Sequence, residues 1–123
     1  MTRAKQAVGY RRPNDPPLLI LTSLATGPKH GHALAKDIEG FAGVKLGPGA
    51  LYGAITRLEE RGLIEPLESD DRRRPYQITS SGREALTAAV RDMRMLADEG
   101  ALRLGLGAVV GALGRPQNST AIS

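Results

Sequence analysis

Three groups of residues in this chain have types and spacings suited to chemistry. Arg72, Arg73 and Arg74 are consecutive and follow Asp70 and Asp71. Such a run of guanidinium groups is dense enough to hold phosphates of a nucleic acid backbone, although the two preceding carboxylates can neutralise it in the free protein. Gly49, Tyr52, Gly53, Thr56, Arg57 and Glu60 recur every three or four positions between residues 47 and 62. On a helix they share one face, opposite Leu51, Ala54, Ile55 and Leu58. A face of small and polar side chains lets a helix backbone approach base edges in a major groove, and its first amides can meet a phosphate.

Each of these residues also admits a structural role. The glycines suit a tight turn and close packing, Tyr52 suits a ring laid on its own domain, and Arg57 suits a solvated pairing with Glu60. His30 and His32 form the third group. Two positions apart, they point to different sides of a helix, and no third ligand lies nearby in sequence, so a helix-start role is expected and a metal site is not. No Ser, His and Asp pattern of known spacing, phosphate-binding glycine loop or dinucleotide fingerprint occurs. No enzyme activity, cofactor or metal is expected.

The composition sets bounds on the elements that position these groups. At 123 residues, 41% apolar and 24% charged, the chain suits one globular domain of common size. Such a length buries roughly two-thirds of the surface the unfolded chain exposes, so a core forms without a staple. There are no cysteines, which excludes disulfide scaffolds, thiolate metal sites and cysteine nucleophiles. One Phe, three Tyr and no Trp argue against a platform that stacks many bases. The net charge of +4 is carried by Arg3, Lys5, Arg11 and Arg12, all ahead of the first acidic residue, Asp15. The N-terminal segment therefore reads as a disordered basic arm attracted to polyanions, or as a solubilising tail. It has no apolar stretch of the kind a secretory signal needs, and the longest apolar run, Leu104 to Leu113, is about half a membrane span. A cytoplasmic location and no membrane partner are expected.

Proline, glycine and apolar periodicity divide the rest. Pro16 and Pro17 open a helix through Leu18 to Leu24, which stops at Gly27-Pro28. A second helix runs from near Gly31 to Gly40–Gly43, with Leu34, Ile38 and Phe41 expected on its buried face. A third is bounded by Gly47-Pro48-Gly49 and Gly62. Two short extended runs, Leu63 to Glu65 and Pro75 to Thr79, flank the charged tip as a β-hairpin whose prolines suit an edge. A fourth helix begins at Thr79 to Ser81, with Ser81 and Glu84 spaced as a capping box and Thr79 or Ser80 as alternative caps. Leu86, Val90, Met93 and Ala97 form its apolar seam, widened by Leu96. The 4-3-4 spacing recurs at Leu102, Leu106, Val109 and Leu113 within a segment, 100 to 114, that is one-third glycine.

Helix, helix, helix, hairpin, helix is the order of a winged helix-turn-helix. The residues themselves resemble a family of that fold. His30-Gly31, Leu46-Gly47-Pro48-Gly49-Ala50-Leu51-Tyr52, Arg57-Leu58-Glu59-Glu60-Arg61-Gly62-Leu63-Ile64, Arg74-Pro75-Tyr76-Gln77-Ile78-Thr79 and Gly82-Arg83-Glu84-Ala85-Leu86 resemble, in order and separation, the PadR family of bacterial transcriptional regulators. The resemblance covers residues 17 to 90. His32 stands where that family usually carries a tyrosine, and the glycine-rich segment stands where a long charged helix is usual.

The fold expected is mainly α with a small β-hairpin, an α+β winged helix-turn-helix over residues 16–79. A basic arm (1–15) precedes it, and a C-terminal helical dimerisation region (80–114) and a disordered tail (115–123) follow. The function expected is that of a sequence-specific regulator of transcription, a repressor in the first instance. Residues 47–62 enter the major groove of double-stranded DNA, with Gly49, Tyr52, Gly53, Thr56 and Arg57 on the contacting face. Residues 69–76, carrying Arg72, Arg73 and Arg74, grip the backbone. Leu86, Val90, Met93 and Leu96 are the expected homodimer interface, and a small-molecule effector is compatible with this design. Two rivals are a winged helix that binds proteins and not DNA, and a small-molecule-sequestering module like the apolar cavities of family dimers.

Overall fold

A computed structural model of the chain describes residues 14–69 and 73–106. The arm up to Pro13, the Asp70-Asp71-Arg72 part of the tip and the segment from Gly107 onward lie outside the described residues. The element order is α1 (Pro16–Leu24), α2 (Gly31–Ala42), α3 (Pro48–Glu60), β1 (Ile64–Pro66), β2 (Tyr76–Ile78) and α4 (Ser80–Leu104). This is the mainly α winged helix-turn-helix with a small hairpin that the sequence predicts. Two compact units divide the chain between Ala89 and Val90.

In the first unit, α1 is apolar nearly all round, with Leu18, Leu19, Ile20, Leu21 and Leu24 all buried. A helix of that kind must be enclosed, and Leu34 and Ile38 of α2 and Leu51, Ala54, Ile55 and Leu58 of α3 join it in one core. Each fully buried aliphatic side chain contributes about 1.5–3 kcal/mol of transfer free energy. The one buried polar residue of the described core, Ser23, donates its hydroxyl to Asp37 Oδ2 at 2.6 Å, while its carbonyl accepts from Lys29 Nζ at 2.6 Å. Lys29 also lies 4.0 Å from Asp37, so the α1–α2 turn is fastened by a satisfied polar cluster.

Phe41 departs from expectation. It continues the Leu34–Ile38 stripe in spacing yet is 48% exposed. Burial along α2 ends at Ile38, and the next apolar residues packed on the core are Val44 and Leu46, beyond the helix end. Gly43, at φ 69°, ends α2 with its amide bonded to the Glu39 carbonyl at 2.9 Å.

Glycine also closes α3. Gly62 sits at φ 75°, its amide bonds to the Glu59 carbonyl (3.0 Å), and the Leu63 amide reaches the Leu58 carbonyl (3.0 Å). That paired closure turns the chain directly into β1. The hairpin is antiparallel, with Ile64 opposite Ile78 and Pro66 opposite Tyr76. Tyr76 directs its amide and carbonyl away from β1, to the carbonyl and amide of Lys29 at 2.9 and 3.1 Å. Proline at position 66 therefore removes no donor that the ladder needs.

Thr79 caps α4. Its Oγ1 accepts from the Gly82 amide at 3.0 Å and donates to the Gly62 carbonyl at 2.7 Å, so the cap is Thr79 and not Ser81 of the expected capping box. Residues 80–89 belong to the first unit, where Leu86 packs on the core and Ala89 is buried.

In the second unit, α4 runs on through Gly100 to Leu104. One interior glycine costs about 1 kcal/mol against alanine, and Leu96, Ala97, Ala101, Leu102 and Arg103 around it are good helix formers. The helix stops at Gly105, at φ 82°, with Gly105 and Leu106 amides bonded to the carbonyls of Leu102 (3.1 Å) and Ala101 (2.6 Å). Among the described residues no helix is long and apolar enough to cross a membrane.

Candidate nucleic-acid interface

The core determines which face of α3 remains outside. With Leu51, Ala54, Ile55 and Leu58 buried, Gly49, Tyr52, Thr56 and Arg57 are exposed and Gly53 is half-buried. Pro48 opens the helix, and Gly47 precedes it without a side-chain cap hydrogen bond to the amides of the first turn. The predicted contacting face is thus brought together on one side of one helix.

Its side chains are locally ordered. Thr56 donates its hydroxyl to the Tyr52 carbonyl at 2.9 Å, which leaves its oxygen lone pairs and methyl outward. The Arg57 guanidinium lies back along the helix, its Nη1 3.6 Å from where a Cβ on Gly53 would stand. Among the described residues no ion pair joins Arg57 to Glu60. A Cβ at 53 would be in ordinary van der Waals contact with that guanidinium.

Tyr52 is 49% exposed, and its ring crosses the start of α2. A Cβ placed on Gly31 would stand 2.7 Å from Tyr52 Cζ and 3.0 Å from Cε1, and closer still to the hydroxyl. The His-Gly pair is therefore part of the tyrosine's seat, a relation that sequence spacing alone did not reveal. The available signal was a glycine at the first position of a helix, where alanine is the better helix former. His30 immediately precedes the helix with its Nδ1 buried and without a hydrogen-bond partner, and His32 is exposed on the first turn.

Tyr76 links this face to the wing. Burial pushes its phenol above the ordinary value, with the Glu59 carboxylate and Tyr52 adding to the rise and Arg74 opposing it. Arg73 and Arg74 are exposed, and the third arginine of the run, Arg72, is outside the described residues. The hairpin stem is held by the Leu67 amide on the Pro75 carbonyl (2.8 Å) and by Gln77 Nε2 donating to Glu65 Oε2 (2.6 Å).

The expected dimer seam is divided between different surroundings. Leu86 is half-buried against the first unit's own core. In the second unit Met93 is half-buried, Val90 is 37% exposed and Leu96 is 75% exposed. Met95, Leu102 and Leu104 are also exposed there, so the apolar surface of α4 is wider than the seam read from spacing.

Comparison with known proteins agrees with this geometry. An uncharacterized 37.1 kDa protein in transposon TN4556 of Streptomyces fradiae is 47% identical over 85 residues, which are 69% of this chain and 25% of that protein. The chain thus spans a quarter of that relative's length. Transcriptional regulator Rv3488 of Mycobacterium tuberculosis is 39% identical over 85 residues, 67% of this chain and 78% of its own. Among solved structures, a PadR family transcription regulator from Clostridium difficile R20291 superposes with a TM-score of 0.64 at 22% identity, over 72% of this chain and 95% of that one, and so shares the fold. The family model of the transcriptional regulator PadR-like family matches residues 20–88. The chain belongs to the PadR-like family of transcriptional regulators.

Proposed function

We propose that this regulator is a sequence-specific DNA-binding repressor that works as a homodimer in the cytoplasm, with α3 in the major groove and the wing on the backbone. The observation that carries the reading is the burial of Leu51, Ala54, Ile55 and Leu58, which leaves Gly49, Tyr52, Thr56 and Arg57 exposed together on α3. A groove-reading helix together with a cationic wing supplies the two kinds of contact that specific binding needs, base edges for discrimination and phosphates for register. Gly49, Gly53, Thr56 and Arg57 serve the first role. Tyr52, Arg72, Arg73 and Arg74 serve the second. The basic arm ahead of α1 adds non-specific attraction.

A winged-helix monomer offers one recognition helix, and two half-sites about 34 Å apart need a two-fold partner to present the second. Val90, Met93 and Leu96, with the exposed apolar residues beyond them, supply the surface for that partner. An effector that prefers one dimer geometry changes the spacing of the two α3 helices, which is how ligand and DNA binding would be coupled.

The test is a fluorescence anisotropy titration of duplex DNA over a range of salt concentrations. Replacing Arg73 and Arg74 by alanine should weaken binding across sequences and reduce the salt slope by about one unit per lost phosphate contact, counted twice in a dimer. An unchanged slope would remove the wing from the interface.

A further inference from the structure

We propose that Gly31, on α2, is a positioning residue for DNA binding, because its lack of a side chain seats Tyr52 across the start of α2. The inference rests on the DNA-binding reading above and adds to it a residue outside α3 and the wing. Any side chain at 31 would occupy the space that the Tyr52 hydroxyl and ring now fill, with Cζ at 2.7 Å and Cε1 at 3.0 Å from the position of a Cβ. What would yield is the outer end of an aromatic side chain that is already half in solvent. The backbone of α2 has no need to move, and an ordinary side chain favours the helix over glycine there.

A substitution at 31 should therefore spare the fold and displace the tyrosine. Displacement matters because the start of α2 lies against the Tyr52 ring and hydroxyl and so limits the directions the side chain can take. A phenol held in that way presents its hydroxyl in one direction, and a phosphate contact made by a pre-oriented donor avoids the ordering cost a free side chain would incur.

The experiment is a double-mutant cycle on duplex binding with the full chain: Gly31→Ala, Tyr52→Ala and both together. Melting temperatures and the 19F spectrum of 3-fluorotyrosine-labelled protein are recorded beside it. Gly31→Ala is expected to melt at or slightly above the parent temperature, to shift the Tyr52 resonance, and to weaken binding by about tenfold, the scale of one hydrogen bond to a charged group. It should weaken binding no further in the Tyr52→Ala background, because the two changes remove one contact. Costs that add in the double variant, or a Tyr52 resonance that does not move, would overturn the proposal. A Gly31→Ala protein that melts far below the parent would equally overturn it, since the glycine would then serve the fold. A parent protein that binds no duplex would refute the DNA-binding reading itself, and the Tyr52 resonance would still decide whether Gly31 seats the ring.

Discussion

Gly82 differs from Gly31 in what its missing side chain makes room for, and replacing it by alanine has a sign that can be worked out. A Cβ at 82 would run into the carbonyl oxygen of Leu63 and stand 2.7 Å from Ile78 Cγ1 and 3.1 Å from the Leu63 carbonyl carbon. The first obstacle is backbone, fixed between the closure of α3 and the start of β1. Relief requires the first turn of α4 to lift away from the hairpin. That strains or breaks the Thr79 amide bond to Leu63 O (3.1 Å), the Thr79 hydroxyl bond to Gly62 O (2.7 Å) and the packing on Ile78. A hydrogen bond is worth about 1 kcal/mol and overpacking costs about 1–3 kcal/mol, against about 1 kcal/mol gained from alanine's helix propensity. The net loss is about 2–4 kcal/mol, or a fall in melting temperature on the order of 10 °C. Gly40 in α2 provides the control, because a Cβ there meets nothing within 4 Å and alanine should stabilise by up to about 1 kcal/mol. Urea and thermal unfolding followed by circular dichroism measure both variants. A Gly82→Ala protein as stable as Gly40→Ala would refute the packing argument.

The raised Tyr76 phenol predicts a loss of stability at alkaline pH. The unfolded chain ionises first, near pH ~10, so the contribution is whole below that value and fades as pH rises through the folded one; Tyr76→Phe should flatten this part of the stability profile in urea titrations. Charges placed on the exposed seam, as in a Val90→Glu, Leu96→Glu double variant, should convert the proposed dimer to monomers by light scattering at micromolar concentration and reduce DNA affinity, while the first unit keeps its core; a variant that stays dimeric would clear these positions of an interface role.

Local signals made much of the fold legible. Pro16, Pro48, Gly43 and Gly62 mark helix ends by fixing or freeing a backbone dihedral, and the stripe of α3 separates the buried from the exposed face without ambiguity. Where the outcome depends on tertiary placement, spacing fell short. Phe41 has the period of a core residue but stands one turn past the end of burial on α2. Leu86 fits the seam of a dimer helix, yet it packs on its own unit's core because α4 begins against the hairpin. The relations of Gly31 to Tyr52, Gly82 to Leu63 and Lys29 to Tyr76 join residues 21, 19 and 47 positions apart. No periodicity encodes such pairs; only the fold brings them together.

The central claim is that α3 reads base sequence, and selection of bound duplexes from a random pool tests it most directly. With the parent protein the enriched sites should form an inverted repeat whose half-sites lie about one helical turn apart. Substitution of Thr56 or Arg57 should then change the preferred base at one or two positions in each half, worth on the order of 1 to 3 kcal/mol. A pool that stays random, or a selected site that neither substitution alters, would contradict the assignment of α3 as the reading helix.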